Sequence, residues 1–259
     1  MTIAIRIDDL SFSHQQSGRP VFEQVSISVT KGETVALLGS SGAGKTTLLT
    51  LLDGRHRDWQ GSVSVLGSEL DPGRAPPLAK RTETGFIFQE FALVERSTVQ
   101  RNVINGRLGR MGALRAFFSC FSAKDVAVTR AALSDCRIAD IATRRVDSLS
   151  GGQRQRVAIA RCLAQEPQLI LADEPVSNLD PTRSAEILKL LTHVARQRGA
   201  TTVFSSHQPE LARRFADRII GLRNGRIAFD VATADLTDAD TMRLYDDAKP
   251  APSTRLRVV

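Results

Sequence analysis

The chain of 259 residues has only three cysteines, Cys120, Cys136 and Cys162. They are odd in number, widely spaced, and have no histidine beside them in a metal pattern. This excludes a disulfide framework and a cysteine-histidine zinc site, and leaves reduced, structural thiols in a cytosolic protein as the expectation. No stretch approaches the roughly 18 apolar residues that a membrane-crossing helix needs. The N-terminus, Met1 to Asp9, alternates like a strand and lacks both the apolar core and the cleavage site of a signal peptide, so no export is expected. There is no internal repeat and no basic arm. The net charge of +7 is scattered along the chain, which favours a solvated, arginine-rich surface over a nucleic-acid patch. What is present is ordinary: 42% hydrophobic residues, enough for a sizeable core in one large domain or two small ones.

Alternating apolar positions predict strands over 3–9 and 21–29, with a turn at Lys31-Gly32-Glu33 before the apolar run Val35-Ala36-Leu37-Leu38. That run enters Gly39-Ser40-Ser41-Gly42-Ala43-Gly44-Lys45-Thr46, which leads into a helix at Thr47-Leu48-Leu49. Strand, glycine loop and helix in that order let several backbone N–H groups and the positive end of the helix face one point, as a polyphosphate requires. In the pattern G-x-x-x-x-G-K-[ST], Lys45 reaches the β- and γ-phosphates and Thr46 offers its hydroxyl to Mg²⁺. A plain flexible turn is the competing interpretation, and the flanking strand and helix disfavour it.

Downstream, strands are expected at Ser62 to Leu66 and Thr84 to Phe88, the latter ending at Gln89. From about Val99 to Val146 the spacing becomes helical, interrupted by Gly106, Gly109 and Gly112. Its apolar cluster of Leu114, Phe117, Phe118 and Phe121 is expected in a core or a helix hairpin, with an exposed patch for a partner as the alternative. Strand and helix then alternate through Leu169 to Ala172, 182–197, Thr201 to Ser205 and a helix after Pro209, which implies a mostly parallel sheet. A hairpin is expected around Arg223-Asn224-Gly225, and a disordered tail at Lys249 to Thr254, placed as 246–259.

Asp173 and Glu174 end the buried strand at 169–172, the edge where α/β sheets bind ligands. Asp173 suits the Mg²⁺ shell, and Glu174 can take the proton of a water attacking the γ-phosphate. Ser150, before Gly151-Gly152-Gln153, is expected to cap a long helix and create a second anion site.

The pentapeptide Leu149-Ser150-Gly151-Gly152-Gln153, between a phosphate loop and an acidic strand end, resembles the signature of the ATP-binding cassette ATPases. The similarity continues through Gln89 at the family's Q-loop, Ser177-Asn178-Leu179-Asp180 at its D-loop and His207 at its switch histidine. The resemblance implies an α/β phosphate-loop NTPase with a mostly parallel core sheet, an N-terminal antiparallel β-subdomain and an inserted α-helical subdomain. It would be a single domain over 1–245, with core and β-subdomain at 1–91 and 156–245 and the helical subdomain at about 92–155. It also implies a homodimer in which each ATP, held by Gly39 to Thr47 and Mg²⁺, meets Ser150, Gly151, Gly152, Gln153 and Asp180 of the other chain. Glu174, His207 and Gln89 would act in hydrolysis, with Thr46, Gln89 and Asp173 around Mg²⁺. His14 stands where relatives usually carry Tyr or Phe stacked on adenine; its imidazole is smaller, and Phe12 is the alternative.

Within the family, Asn105 to Arg110, the Phe117-Phe118-Ser119-Cys120-Phe121 cluster and Gln208 after the switch histidine are most similar to the ATPases of phosphonate importers. That implies a separate integral membrane permease, a periplasmic or lipid-anchored solute-binding protein, no nucleic acid, and a place on the cytoplasmic face of the bacterial inner membrane. The alternatives are the ATPase of another importer or of a separate-subunit exporter, or a soluble DNA-repair cassette. The last is disfavoured by the lack of a coiled coil or zinc-type cysteine pair between phosphate loop and signature.

Overall fold

The computed structural model describes residues 2–14, 20–177 and 179–245. The expected tail at 246–259 and Asn178 of the D-loop lie outside these residues. Apolar alternation drives two sheets. The first is antiparallel: β2 (Pro20–Thr30), β1 (Ile3–Ser13), β4 (Gln60–Val65) and the short β5 (Ser68–Glu69), in that order. β1 runs four residues past the predicted end because Ile7 pairs with Ile27 but Leu10 with Val25, so one extra residue is accommodated. Asp9 takes φ 51° there. This bulge hides the strand's continuation, since Leu10 and Phe12 return inward on the opposite parity.

The second sheet has the order β10 (Arg226–Ala232), β9 (Arg218–Arg223), β3 (Thr34–Leu38), β8 (Thr201–Ser206), β7 (Leu169–Ala172), β6 (Thr84–Ile87). Every pairing from β9 to β6 is parallel; the β9–β10 hairpin is antiparallel. The mostly parallel sheet and the N-terminal antiparallel sheet are both as expected. Strand residues alternate between two cores. Val35, Leu37, Leu169, Leu171 and Val203 pack with the antiparallel sheet and α1 (Lys45–Leu52). Ala36, Leu38, Ile170, Ala172 and Phe204 face the other way. That second face packs with the helices α3 (Val99–Ile104), α5 (Ala123–Asp135), α6 (Gly151–Ala164), α7 (Pro181–Gln197) and α8 (Pro209–Phe215). Short helices α2 (Leu78–Arg81) and α4 (Ala113–Phe117), together with α9 (Asp238–Tyr245), are the other α-helices among the described residues.

The helical stretch is built around a buried cation. Arg107 Nε donates to Asp125 Oδ1 at 2.9 Å and Nη1 to Glu166 Oε2 at 2.6 Å. Burial alone would raise the Asp125 carboxyl, but hydrogen bonds from Ser122 and Arg107 and the guanidinium charge outweigh it and hold it at about 2. Asp125→Asn leaves Arg107 under-compensated and is expected to destabilise the fold by about 3 kcal/mol at neutral pH. Because the folded value is depressed, this stabilisation is complete above about pH 4 and fades as pH falls through about 2. The gap between wild type and variant in urea unfolding should therefore narrow below about pH 4.

Two expectations hold only in part. Leu114, Phe117 and Phe118 are exposed and join no core, which sets aside the core or hairpin reading and leaves its alternative, an exposed patch. Helical spacing put them inside, yet α4 is a five-residue helix with no buried side chain. Of the cysteines, Cys136 and Cys162 are buried, their thiols pushed up to about 12 by burial, but Cys120 is exposed.

Candidate functional site

Since β6, β7, β8 and β3 are neighbours and parallel, their C-terminal ends open onto one edge. That topology sets Gln89, Asp173–Glu174, His207 and the glycine loop along one edge from four separate parts of the sequence, and brings all but Gln89 into mutual contact. The loop is tightly held. Gly44 caps α1 at φ 101°, and a Cβ there would lie 2.7 Å from the Phe22 ring. A Cβ on Gly39 would meet the Leu222 carbonyl oxygen at 2.5 Å. Neither position tolerates a side chain, so the cradle stays lined by backbone.

Lys45 folds back over the loop, with Nζ donating to the carbonyls of Gly39 at 2.9 Å and Ser40 at 3.0 Å. It also stands 3.6 Å from Glu174 Oε1. Asp173 Oδ1 accepts from Thr46 Oγ1 at 3.0 Å. Two of the three residues expected around Mg²⁺, Thr46 and Asp173, therefore touch, and both offer the hard oxygen donors that this ion prefers. Among the described residues no group of three or more His, Cys, Asp or Glu side chains could hold a metal alone. A cation here would draw its remaining ligands from phosphate and water.

Glu174 adopts φ 40°, a left-handed conformation that a non-glycine residue holds only when its surroundings enforce it. His207 Nδ1 is 3.6 Å from its Oε2. The carboxylate thus lies between Lys45 and His207, each facing one oxygen. The His207 carbonyl accepts from the Tyr245 hydroxyl at 3.0 Å. Gln89, just after β6, is exposed.

Ser205 was missed in the sequence. Its Oγ donates to Asp173 Oδ1 at 2.8 Å and accepts from the Glu174 N–H at 2.8 Å. One buried hydroxyl thereby fixes both acids. The available signal was the hydroxyl pair Ser205-Ser206 closing an otherwise apolar strand end at Val203-Phe204. For the ATP hydrolysis that the sequence resemblance implies, Ser205→Ala should lower kcat about tenfold while leaving nucleotide affinity near wild type, as orienting groups behind a ligand do. Steady-state kinetics with a nucleotide-binding titration check this.

Ser150 caps α6 as anticipated. Its Oγ accepts from the Gln153 N–H, and Gln153 Oε1 accepts from the Ser150 N–H at 3.1 Å, a reciprocal capping box. Ser150 and Gly151 are exposed. Asp180 caps α7, accepting from the Arg183 N–H at 3.0 Å. Among the described residues, no polar contact joins this signature turn to the glycine loop of the same chain. His14 lies at the end of β1, its ring 5.2 Å from Phe12 and 5.8 Å from His56. His56 Nε2 in turn meets Thr50 Oγ1, one turn along α1 from Thr46, at 2.8 Å.

The family model described as ABC transporter matches residues 22–177. A phosphonates import ATP-binding protein of Nostoc sp. is 41% identical over 250 residues, covering 95% of this chain and 94% of that protein. A phosphite import ATP-binding protein of Stutzerimonas stutzeri is 44% identical over 241 residues, covering 93% and 86%. Among solved structures, an inward-facing putative metal-chelate type ABC transporter aligns with TM-score 0.80 at 32% identity, covering 94% of this chain and 89% of its own. A dimeric post-hydrolysis ATP-binding cassette bound to ADP and Pi aligns with TM-score 0.74 at 27% identity, covering 88% and 98%.

Proposed function

The chain belongs to the ATP-binding cassette family of transporter ATPases, and from that premise we propose that it is the ATP-hydrolysing subunit of a bacterial importer for phosphonates or related phosphorus oxyanions such as phosphite. The observation that carries the catalytic part is the placement of Glu174 between Lys45 and His207 at the mouth of the glycine loop. The relatives named for phosphonate and phosphite import, matched over nearly the whole chain, support the solute class.

In this reading Gly39 to Thr47 bind the ATP phosphates through backbone N–H groups, with Lys45 on the terminal phosphates. Thr46, Asp173 and Gln89 hold Mg²⁺, which when bound offsets phosphate charge. Glu174 takes the proton of the attacking water, and His207 steadies that carboxylate and the charge that develops on the phosphate. Ser150, Gly151, Gly152, Gln153 and Asp180 of a second copy complete each site. His14 faces the adenine, with Phe12 behind it.

The reading carries the same division of the chain: core and β-subdomain at 1–91 and 156–245, helical subdomain at about 92–155. A groove beside β6, lined by Phe86, Phe88, Gly106 and Arg161 among others and about 410 Å³ in volume, is where a permease would engage. Arg55 stacks on both Phe86 and Phe88 there, 4.6 and 4.7 Å from the ring centres. No described helix is long and apolar enough to cross a membrane. In this reading a separate permease supplies the transport path and a solute-binding protein delivers to it from outside. The chain would act at the cytoplasmic face of the inner membrane.

The test is growth of the source bacterium on a phosphonate as sole phosphorus source. Deletion should abolish it, and the wild-type chain but not Glu174→Gln should restore it. Undiminished growth of the deletion strain on phosphonate and phosphite would remove the solute assignment.

A further inference from the structure

The exposed apolar residues of the helical stretch form one tip. Leu114, Phe117 and Phe118 are 77%, 82% and 68% exposed. The tip is closed by its own hydrogen bonds: the N–H groups of Phe118, Ser119 and Cys120 donate to the carbonyls of Leu114, Ala116 and Arg115 at 3.1, 3.1 and 2.8 Å. Arg115 Nη2 donates back to the Cys120 carbonyl at 3.0 Å. Phe117 and Phe118 meet edge to face, 5.1 Å between ring centres. A satisfied backbone with its rings turned outward marks an interaction surface.

Along the sequence, the charge on either side of the tip has one sign. Residues 96–124 contain six Arg and Lys and no Asp or Glu, a concentration that the scattered charge of the whole chain conceals. Arg107 turns inward to Asp125 and Glu166. Arg101, Arg110, Arg115 and Lys124 are exposed, and none of these four forms an ion pair with a carboxylate among the described residues. Arg101 instead stacks over Phe121 at 5.5 Å, and Arg110 donates to backbone carbonyls of Thr82, Gln165 and Glu166.

We propose that the tip Leu114 to Phe118 is a wedge that docks on an anionic lipid surface. The rings enter the boundary between headgroups and acyl chains, and the unpaired cations around them meet lipid phosphates. A second copy is a poor occupant because a symmetric contact would set these same cations against each other. The wedge goes beyond the import reading: it requires lipid only, so its failure would leave the ATPase and solute assignments standing. A few aromatic groups plus a few charges give weak, reversible and salt-sensitive attachment.

Phe118→Trp supplies an exposed reporter, since the chain's one tryptophan, Trp59, is buried. With vesicles of phosphatidylglycerol and phosphatidylethanolamine at low salt, its emission should shift to the blue and the protein should sediment with the vesicles. Binding should be at least about fivefold weaker on phosphatidylcholine vesicles and at least about tenfold weaker for Leu114→Ser with Phe117→Ser. That double variant should keep wild-type ATP affinity, which shows that it is folded. No shift on anionic vesicles, or an equal shift on both vesicle types, would overturn the proposal. So would self-association without lipid that the double variant loses, or attachment only to membranes that carry the permease.

Discussion

Glu174→Gln is expected to bind ATP at near wild-type affinity, to lose at least about a hundredfold in turnover, and to run on gel filtration as a dimer only when ATP is present. The substitution keeps the shape of the side chain and its place between Lys45 and His207, but removes the basic oxygen that receives a proton. The backbone is already committed, because φ 40° at Glu174 and the bond from its N–H to Ser205 Oγ do not depend on the carboxylate. Binding should survive, since in the proposed site Gly39 to Thr47 would hold the nucleotide without Glu174. With bond cleavage blocked, the closed state has no exit and accumulates. A variant that still turns over at near wild-type rate would remove Glu174 as the base.

Ser150→Arg is expected to spare ATP binding to the monomer and to reduce hydrolysis to background, a loss of at least about a hundredfold. Ser150 stands at the exposed N-terminus of α6, where its hydroxyl caps the Gln153 N–H. An arginine there fills the space that an incoming phosphate would use, and the lost cap costs about 1 kcal/mol. It does not touch the glycine loop of its own chain. If binding and hydrolysis fell together, Ser150 would be acting within its own chain. Nucleotide titration of the monomer, paired with the hydrolysis rate, distinguishes the two.

Much of this site was legible because its parts are local in sequence. The glycine loop, the Asp173–Glu174 pair and the Ser150 capping box are each set by residues within a few positions of one another, and each stands where strand and helix periodicity placed it. What was not legible depends on distant partners. Ser205 matters because parallel pairing sets β8 beside β7, about thirty residues away in sequence, and a serine at a strand end carries no periodic signature. The continuation of β1 was hidden by the bulge at Asp9, which inverts the parity of the apolar residues. The Phe117–Phe118 tip stayed open between core and exposed patch because helical spacing counts apolar residues and is blind to whether another element covers them. Arg107 shows the same limit: a buried arginine becomes intelligible only once Asp125 and Glu166 stand beside it.

Mixing two inactive variants tests the shared site most directly. Lys45→Ala removes the loop's buried cation and should weaken ATP binding by more than about tenfold, while Ser150→Arg removes the signature. Each variant alone should be at background. In a mixed dimer the intact glycine loop of the Ser150→Arg chain faces the intact signature of the Lys45→Ala chain, so one complete site is rebuilt. With random pairing, half the dimers carry one of two sites, and the mixture should hydrolyse ATP at up to about a quarter of the wild-type rate. A mixture as inactive as either variant alone would contradict a site divided between two chains.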